Sequence, residues 1–456
     1  MLELCKNLKK TGCARIIAKM GCAPIFVLVL FIALTLGSAR ESAAAVITST
    51  ANGGTWASGS TWVGSVAPAT TDTAVIATTG GNAVTLGAAA TIAGVTIDSG
   101  AILNGDSFIL TVNGNFTNNG TFNGDTGTVV FYGGTNVDVT RAITTNGALF
   151  NNVTFYLYDS TTYNAMSTFN ITGNLNVGGN LAFTYYAGTY DDDSMYINGT
   201  IYAKGNITGT MPRVYGNATI TLDGTGAQTI GSFSDIPEGT LTINKPSGTA
   251  NLSGSMTFDV PFVLQAGTFN LDNYTLTVKN TFTISGGTLD AGTSTVVFYG
   301  GTNVDVTRAI SITGAHQFNN VTFYLYDSTT YNATSTFNIT GNLNVGGNLA
   351  FTYYAGTYDD DSMSINGTIY AKGNVTGTMP RVSGNATITL DGTVDQAIGS
   401  VSDIPGGTFT INKTLGTANL SGSMTFDVPF VLQAGTFNLD NYTLTVKNTF
   451  TISGGT

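Results

Sequence analysis

The residues best placed to do chemistry are the aspartates of "TYYAGTYDDDSM" (184–195), three in a row behind three tyrosines, and the same letters return at 352–363. Elsewhere in the chain acids are scattered singly. In an extended segment Asp191 and Asp193 share one face and Asp192 takes the other. Such a cluster can serve in three ways. A glycosidase needs two carboxylates about 5–9.5 Å apart across the scissile bond, one with a raised pKa. A hard cation wants several oxygen ligands, which makes Asp191, Asp192 and Asp193, with their counterparts Asp359, Asp360 and Asp361, the candidate Ca2+ ligands. The third reading is a solvated loop whose charges block edge-to-edge aggregation.

The companions of a catalytic site are missing from the sequence. Carbohydrate-active β-helix enzymes such as polygalacturonases support their aspartates with His, Arg or Lys. Here the sole histidine, His316, sits at a point where the two copies differ in length, and Arg213 and Lys204 belong to the turn-like "GTMPRV" and "YAKGN". There is no Glu pair, HExxH or nucleophile elbow. The Ca2+-binding nonapeptide repeat is absent as well. No catalytic residue is therefore expected, and Ca2+ is the only cofactor the sequence keeps open.

The tyrosines offer a different chemistry. In "TFYLYD", Tyr156 and Tyr158 alternate with Phe155 and Leu157, so a strand that turns the latter inward turns the tyrosines out. Outward tyrosines stacked on one another can bind sugar rings or a partner surface. Tyr186, Tyr190, Tyr354 and Tyr358 are the candidate glycan contacts. The alternative is an inert ladder that covers neighbouring loops. Sequons (Asn115, Asn119, Asn152, Asn170, Asn198, Asn206, Asn217, Asn251, Asn273) follow from a chain rich in Asn and Thr, and these asparagines also suit turns and amide ladders.

What must position these residues is read from composition and repetition. Only 9 % of the 456 residues are charged and 58 are glycine, which rules out long amphipathic helices. The 42 % hydrophobic content, alternating with polar residues, argues against disorder. All three cysteines (Cys5, Cys13, Cys22) precede residue 45, so no disulfide framework or thiolate chemistry is available beyond it. Past residue 45 there are 10 basic and 25 acidic residues, a net charge of −15, which makes the chain a poor partner for nucleic acid or anionic lipid. Residues 1–45 read as a signal peptide: a basic start, the apolar run "APIFVLVLFIALTLG" (23–37), and Ala43-Ala44-Ala45 as a cleavage site. The run is short for a membrane span, and an uncleaved anchor would be the only membrane contact. A secreted or cell-surface location is expected.

"TVVFYGGTNVDVTRAI" occurs at 128–143 and again at 295–310, and from Phe150 to Thr288 the copies differ at 12 of 139 positions. This predicts an N-terminal start at 46–121, unit A at 122–288 and unit B at 289–456. Unit B stops at a repeat boundary, so the sequence is expected to be part of a longer array. Within each unit, runs of four to six residues alternate apolar and polar and are broken by GN, GG, NG or DN, the pattern of short strands with one buried face. Leu276, Val278, Phe282 and Ile284 are expected inward, Thr275 and Thr277 outward. The fold class is all-β, a parallel β-helix (β-solenoid) of coils of roughly 20 residues, about eight per unit, each unit extending the rod by roughly 40 Å. A string of β-sandwiches fits less well, since the strands are short and both tryptophans, Trp56 and Trp62, lie outside the repeats.

The segment from Gly53, with Trp62, Pro68, Asp72 and Ile76, "VTLGAAATIAGVTIDSGAIL" and "GNFTNNGTFN…GTVVFYG", resembles the opening of large secreted bacterial β-solenoid repeat proteins: autotransporter-like and filamentous-haemagglutinin-like adhesins, and those with glycine-rich G8-like modules. The resemblance implies an exported, non-enzymatic stalk, adhesin or surface-layer element whose partners are glycans or a neighbouring cell surface. The competing expectation is a secreted polysaccharide-binding or polysaccharide-cleaving β-helix acting through Tyr186, Asp191 and Asp193 and their counterparts Tyr354, Asp359 and Asp361.

Overall fold

The computed structural model describes residues 44–158, 164–186, 192–231, 233, 235–326, 332–354, 360–399, 401 and 403–456. The expected signal peptide, for which an N-terminal helix is expected, lies outside them except for its last two residues. Among the described residues there are 43 strands, a short 3-10 turn at Gly59–Thr61 and no α-helix. The strand ladders are parallel, with one isolated antiparallel bridge between Ser49 and Trp62. The chain is a parallel β-solenoid, as its alternation predicts.

The register sets the coil. Val46 lies beside Thr73, Thr73 beside Gly94, Val95 beside Phe116, Phe116 beside Ile143 and Ile143 beside Ile171, one coil per step. Seven steps lead from Ile143 to its repeat counterpart Ile310, by way of Ile171, the Asn198–Thr200 corner, Ile220, Leu241, Phe262 and Phe282. A unit therefore holds seven coils where even coils of 20 residues predict eight. At about 4.8 Å per coil the unit adds about 34 Å to the rod. Coil length varies along the stack. Thr200 to Thr219 spans 19 residues and Val306 to Ser335 spans 29. The long steps contain "DSTTY" and "AGTYD", whose residues lie outside those described.

The coil that starts at Leu241 shows the cross-section. Leu241–Leu252 bends between Ile243 and Thr249, Met256–Phe258 follows, and Phe262 then sits on Leu241. Three faces thus enclose one core. Alternation decides what enters it: Leu276 and Val278 are buried and Thr275 and Thr277 are not, and Phe282 and Ile284 are buried in the next strand. Parallel stacking puts like on like. Phe155 stacks on Phe183 at 5.9 Å and 12°, and Phe262 on Phe282 at 5.2 Å and 21°. Such pairs add about 0.5–1.5 kcal/mol to the burial of each ring.

Corners need backbone that side chains forbid. Gly173 turns the strand Met166–Val177 with φ +82°, and Gly199 turns the next coil with φ +124°. A Cβ on Gly199 would lie 2.7 Å from the carbonyl oxygen of Ile171. At the first coil, the two tryptophans that fall outside the repeats join the core. Trp62 is buried, donates its indole N–H to the Trp56 carbonyl at 2.7 Å, and meets the Trp56 ring edge-on at 5.1 Å. Asp72, also buried, accepts the N–H groups of Ala45 and Ala69 at 2.9 and 2.8 Å.

Candidate functional site

The strand Leu181–Tyr186 brings the tyrosines to the coil edge, and Ser194–Ala203 returns the chain beside the preceding coil. Asp193 precedes this second strand in phase with Met195, Ile197 and the core, and it is 2 % exposed. Its Oδ1 accepts the Ala165 N–H at 2.5 Å, and its Oδ2 accepts the Tyr185 hydroxyl. Ala165 lies one coil earlier, so Asp193 braces two coils just ahead of the ladder that begins with Met166 beside Ser194. Unit B repeats the arrangement with Asp361, Ala333 (2.6 Å) and Tyr353. A carboxylate with both oxygens engaged by structural donors is a brace, and a buried one unmade would cost about 1–3 kcal/mol.

Asp192 points the other way. It is paired with Arg213 at 2.6 Å, and Asp360 with Arg381 at 2.5 Å, all four side chains being more than a third exposed. Pairs this exposed contribute about 0–1 kcal/mol. Asp191, Asp359, Tyr190 and Tyr358 lie outside the described residues. The sequence grouped Asp191 with Asp193 as one ligand face. What the structure assigns is the division between Asp193, turned inward, and Asp192, turned outward. Among the described residues no three His, Cys, Asp or Glu side chains gather at metal-holding spacing.

The tyrosines stack, in two short ladders. Tyr132 faces Tyr156 at 5.6 Å and 28°, and Tyr158 faces Tyr186 at 5.1 Å and 11°. Their counterparts are Tyr299 with Tyr324 at 5.4 Å and Tyr326 with Tyr354 at 5.1 Å. Burial pushes the hydroxyl pKa of Tyr156 up, with Tyr132, Tyr158 and Tyr186 adding to it, so the four rings form one cluster. Tyr186 is 56 % exposed and Tyr354 57 %. In the next coil Phe183 pairs with Gly209 and the Tyr185 N–H is taken by Thr210, and among the described residues the ring that stacks on Tyr186 is Tyr158. Each unit thus shows one aromatic patch with an Asp–Arg pair beside it. A second pair, Tyr196 on Tyr215 at 5.2 Å, exists in unit A alone, because both partners are serine in unit B (Ser364 beside Ser383).

The asparagines form amide ladders. Asn198 donates to Asn170 Oδ1 at 2.9 Å, and the N–H groups of Asn180 and Asn206 are taken by Asn152 and Asn180 at 2.8 and 3.0 Å. The reading of these residues as structural holds for those three coils.

Two features escape a reading of motifs. Lys245 and Lys413 are each 1 % exposed, inside the solenoid against Gln228 and Gln396. The signal was present: in "INK" the alternation that turns Ile243 inward turns Lys245 inward too. Asp235 is the other. Burial, with the charges of Asp259 and Glu238, raises its pKa to about 6, against the N–H groups of Val214 (2.8 Å) and Ile236 (2.9 Å), which favour the charged form. Asp403 is raised for the same leading reason.

Surface grooves of about 420 and 240 Å³ lie in the first coils, lined by Thr73, Gly94, Thr117 and Arg141 and by Phe122, Asn123 and Leu149, with no tyrosine in their lining. No helix among the described residues is long and apolar enough to cross a membrane. Comparison with protein families, with curated proteins and with solved structures finds no match, and the chain is placed by its own geometry as a parallel β-solenoid.

Proposed function

We propose that this chain is the stiff, non-enzymatic shaft of an exported protein, a stalk or adhesin-type scaffold displayed at a cell surface. One observation carries the reading. Unit B continues unit A without a break in register or core, Phe282 lying beside Ile310 at the join as Phe116 lies beside Ile143 where unit A follows the N-terminal start. A parallel stack grows by adding units that contact only their neighbours, so a duplication lengthens the rod and leaves the rest undisturbed. The aspartates of the acidic loop support this reading, since Asp193 and Asp361 serve as braces between coils. Immunolabelling and protease shaving of intact source cells test it: the chain is expected outside and cleavable. Retention inside the cell overturns it, and so does turnover of uronate polymers that the double change Asp191→Asn and Asp359→Asn abolishes.

The exposed tyrosine patches favour a second reading, in which the same rod holds a polysaccharide. Aromatic faces bind sugar rings, and two identical patches seven coils apart would act together on one polymer. A glycan array with Tyr186→Ala and Tyr354→Ala, singly and together, separates it from the bare scaffold. Binding that the double change removes supports it, and binding unaffected by the double change counts against it.

A further inference from the structure

Inside the solenoid, at one corner of each unit, an amine is held against a carboxamide. Lys413 Nζ lies 2.5 Å from Gln396 Oε1, and 2.7 and 2.8 Å from the carbonyl oxygens of Gly392 and Val394. Lys245 makes the same contact with Gln228. All four side chains are at most 1 % exposed. The carboxamide of Gln396 is fixed: its Nε2 donates to the carbonyls of Ala371 and Gly373 at 2.9 and 2.6 Å, and its Oε1 accepts the Gly392 N–H at 3.1 Å. The Gln228 amide is held in the same way. Asp391, whose charge acts on Lys413, and Asp223, whose charge acts on Lys245, each keep one buried carboxylate oxygen, Oδ1, with no hydrogen-bond partner among the described residues, while the other oxygen of Asp391 is paired with Lys372 at 2.7 Å. The two units differ at eight positions between 226 and 247, yet the glutamine and lysine within this stretch are the same in both.

We propose that each pair is a site of covalent modification, in which the lysine ε-amine displaces ammonia from the glutamine side chain to form an isopeptide cross-link between successive coils. The bond between Nζ and Cδ forms and the bond between Cδ and Nε2 breaks. Asp391 takes the proton that Nζ sheds and returns it to Nε2, which leaves as ammonia; nothing is oxidised or reduced. Only an unprotonated amine attacks, and burial lowers the pKa of both lysines, with neighbouring aspartates opposing it. The Gly392 N–H, already on Oε1, is placed to stabilise the oxygen as it gains charge. The product ties a corner of the rod across coils, where a stack held by hydrogen bonds alone would unzip.

Peptide mapping of the purified full chain tests this without any variant. Trypsin cuts after a free lysine, and Lys413 is followed by Thr414, whereas Lys245 is followed by proline and is a poor substrate in any case. The expected result after denaturation and digestion is no cleavage at Lys413, and one linked peptide carrying Gln396 and Lys413 that is lighter by about 17 Da, the ammonia lost. Asp391→Asn is expected to leave Lys413 cleavable. Complete cleavage after Lys413, with the Gln396 peptide at its unmodified mass in protein aged in the folded state, overturns the proposal. Linkage formed at the wild-type rate in Asp391→Asn removes the aspartate from the mechanism as written.

Discussion

A single carboxylate gives the sharpest test of the interior. Asp235 is held at a pKa of about 6 against an ordinary 3.8, chiefly because burial disfavours its charge. A carboxylate whose folded pKa is raised binds more protons folded than unfolded. Its contribution to stability is complete below about pH 4 and is lost as the pH climbs through about 6, an effect of up to about 3 kcal/mol. The change Asp235→Asn keeps the side chain's shape and removes its titration. Melting measured at about pH 4.5 and about pH 7.5 is expected to show a smaller difference in the variant than in the parent. Equal differences would mean that this carboxylate ionises freely. Asp193 was legible as a special residue from its acidic neighbours, but its role was not. Whether an aspartate binds an ion, a substrate or a backbone N–H depends on what faces it, and here that is Ala165, one coil away.

Strands and their stacking carry most of the stability. Phe262 is fully buried and touches Phe258, Phe269 and Phe282, whereas its neighbour Val263 faces outward. Phe262→Ala should cost about 3–5 kcal/mol and Val263→Thr well under about 1 kcal/mol, as denaturant titration would report. Similar losses from the two would refute the assigned register. The inward set was readable from sequence because the side-chain period of a strand is two and one face is buried. Partnership between strands was not. Tyr196 and Tyr215 stand out in the sequence only as two scattered differences between units. Their register makes them one stack, replaced in unit B by one pair of serines.

At the scale of the whole molecule, repetition makes excision a clean experiment. Removing residues 144–310 joins Ile143 to Ser311, and the new chain should close the same ladder that now links Phe282 to Ile310 and Ile310 to Ile339. The shortened protein is expected to fold, with its longest dimension in small-angle scattering reduced by about 34 Å, seven coils at about 4.8 Å each. Loss of folding would show that the units are not interchangeable along the stack. The number of coils was misjudged from sequence because the step from one coil to the next varies, from 19 residues between Thr200 and Thr219 to 29 between Val306 and Ser335, and alternation does not mark that length.

The sequence by itself determined that the chain is built of short parallel-stacking strands, that it repeats, and which residues of each strand face inward. Those properties follow from local periodicity and from turns that only Gly, Asn or Asp readily make. The tertiary structure alone decided that Asp193 is a brace, that the tyrosines form two-ring stacks, that Trp56 and Trp62 belong to the core of the first coil, and that Lys245 meets Gln228. Each of those facts joins residues in different strands or coils, and a distance between coils is set by the register and the loops between them, which no local pattern encodes.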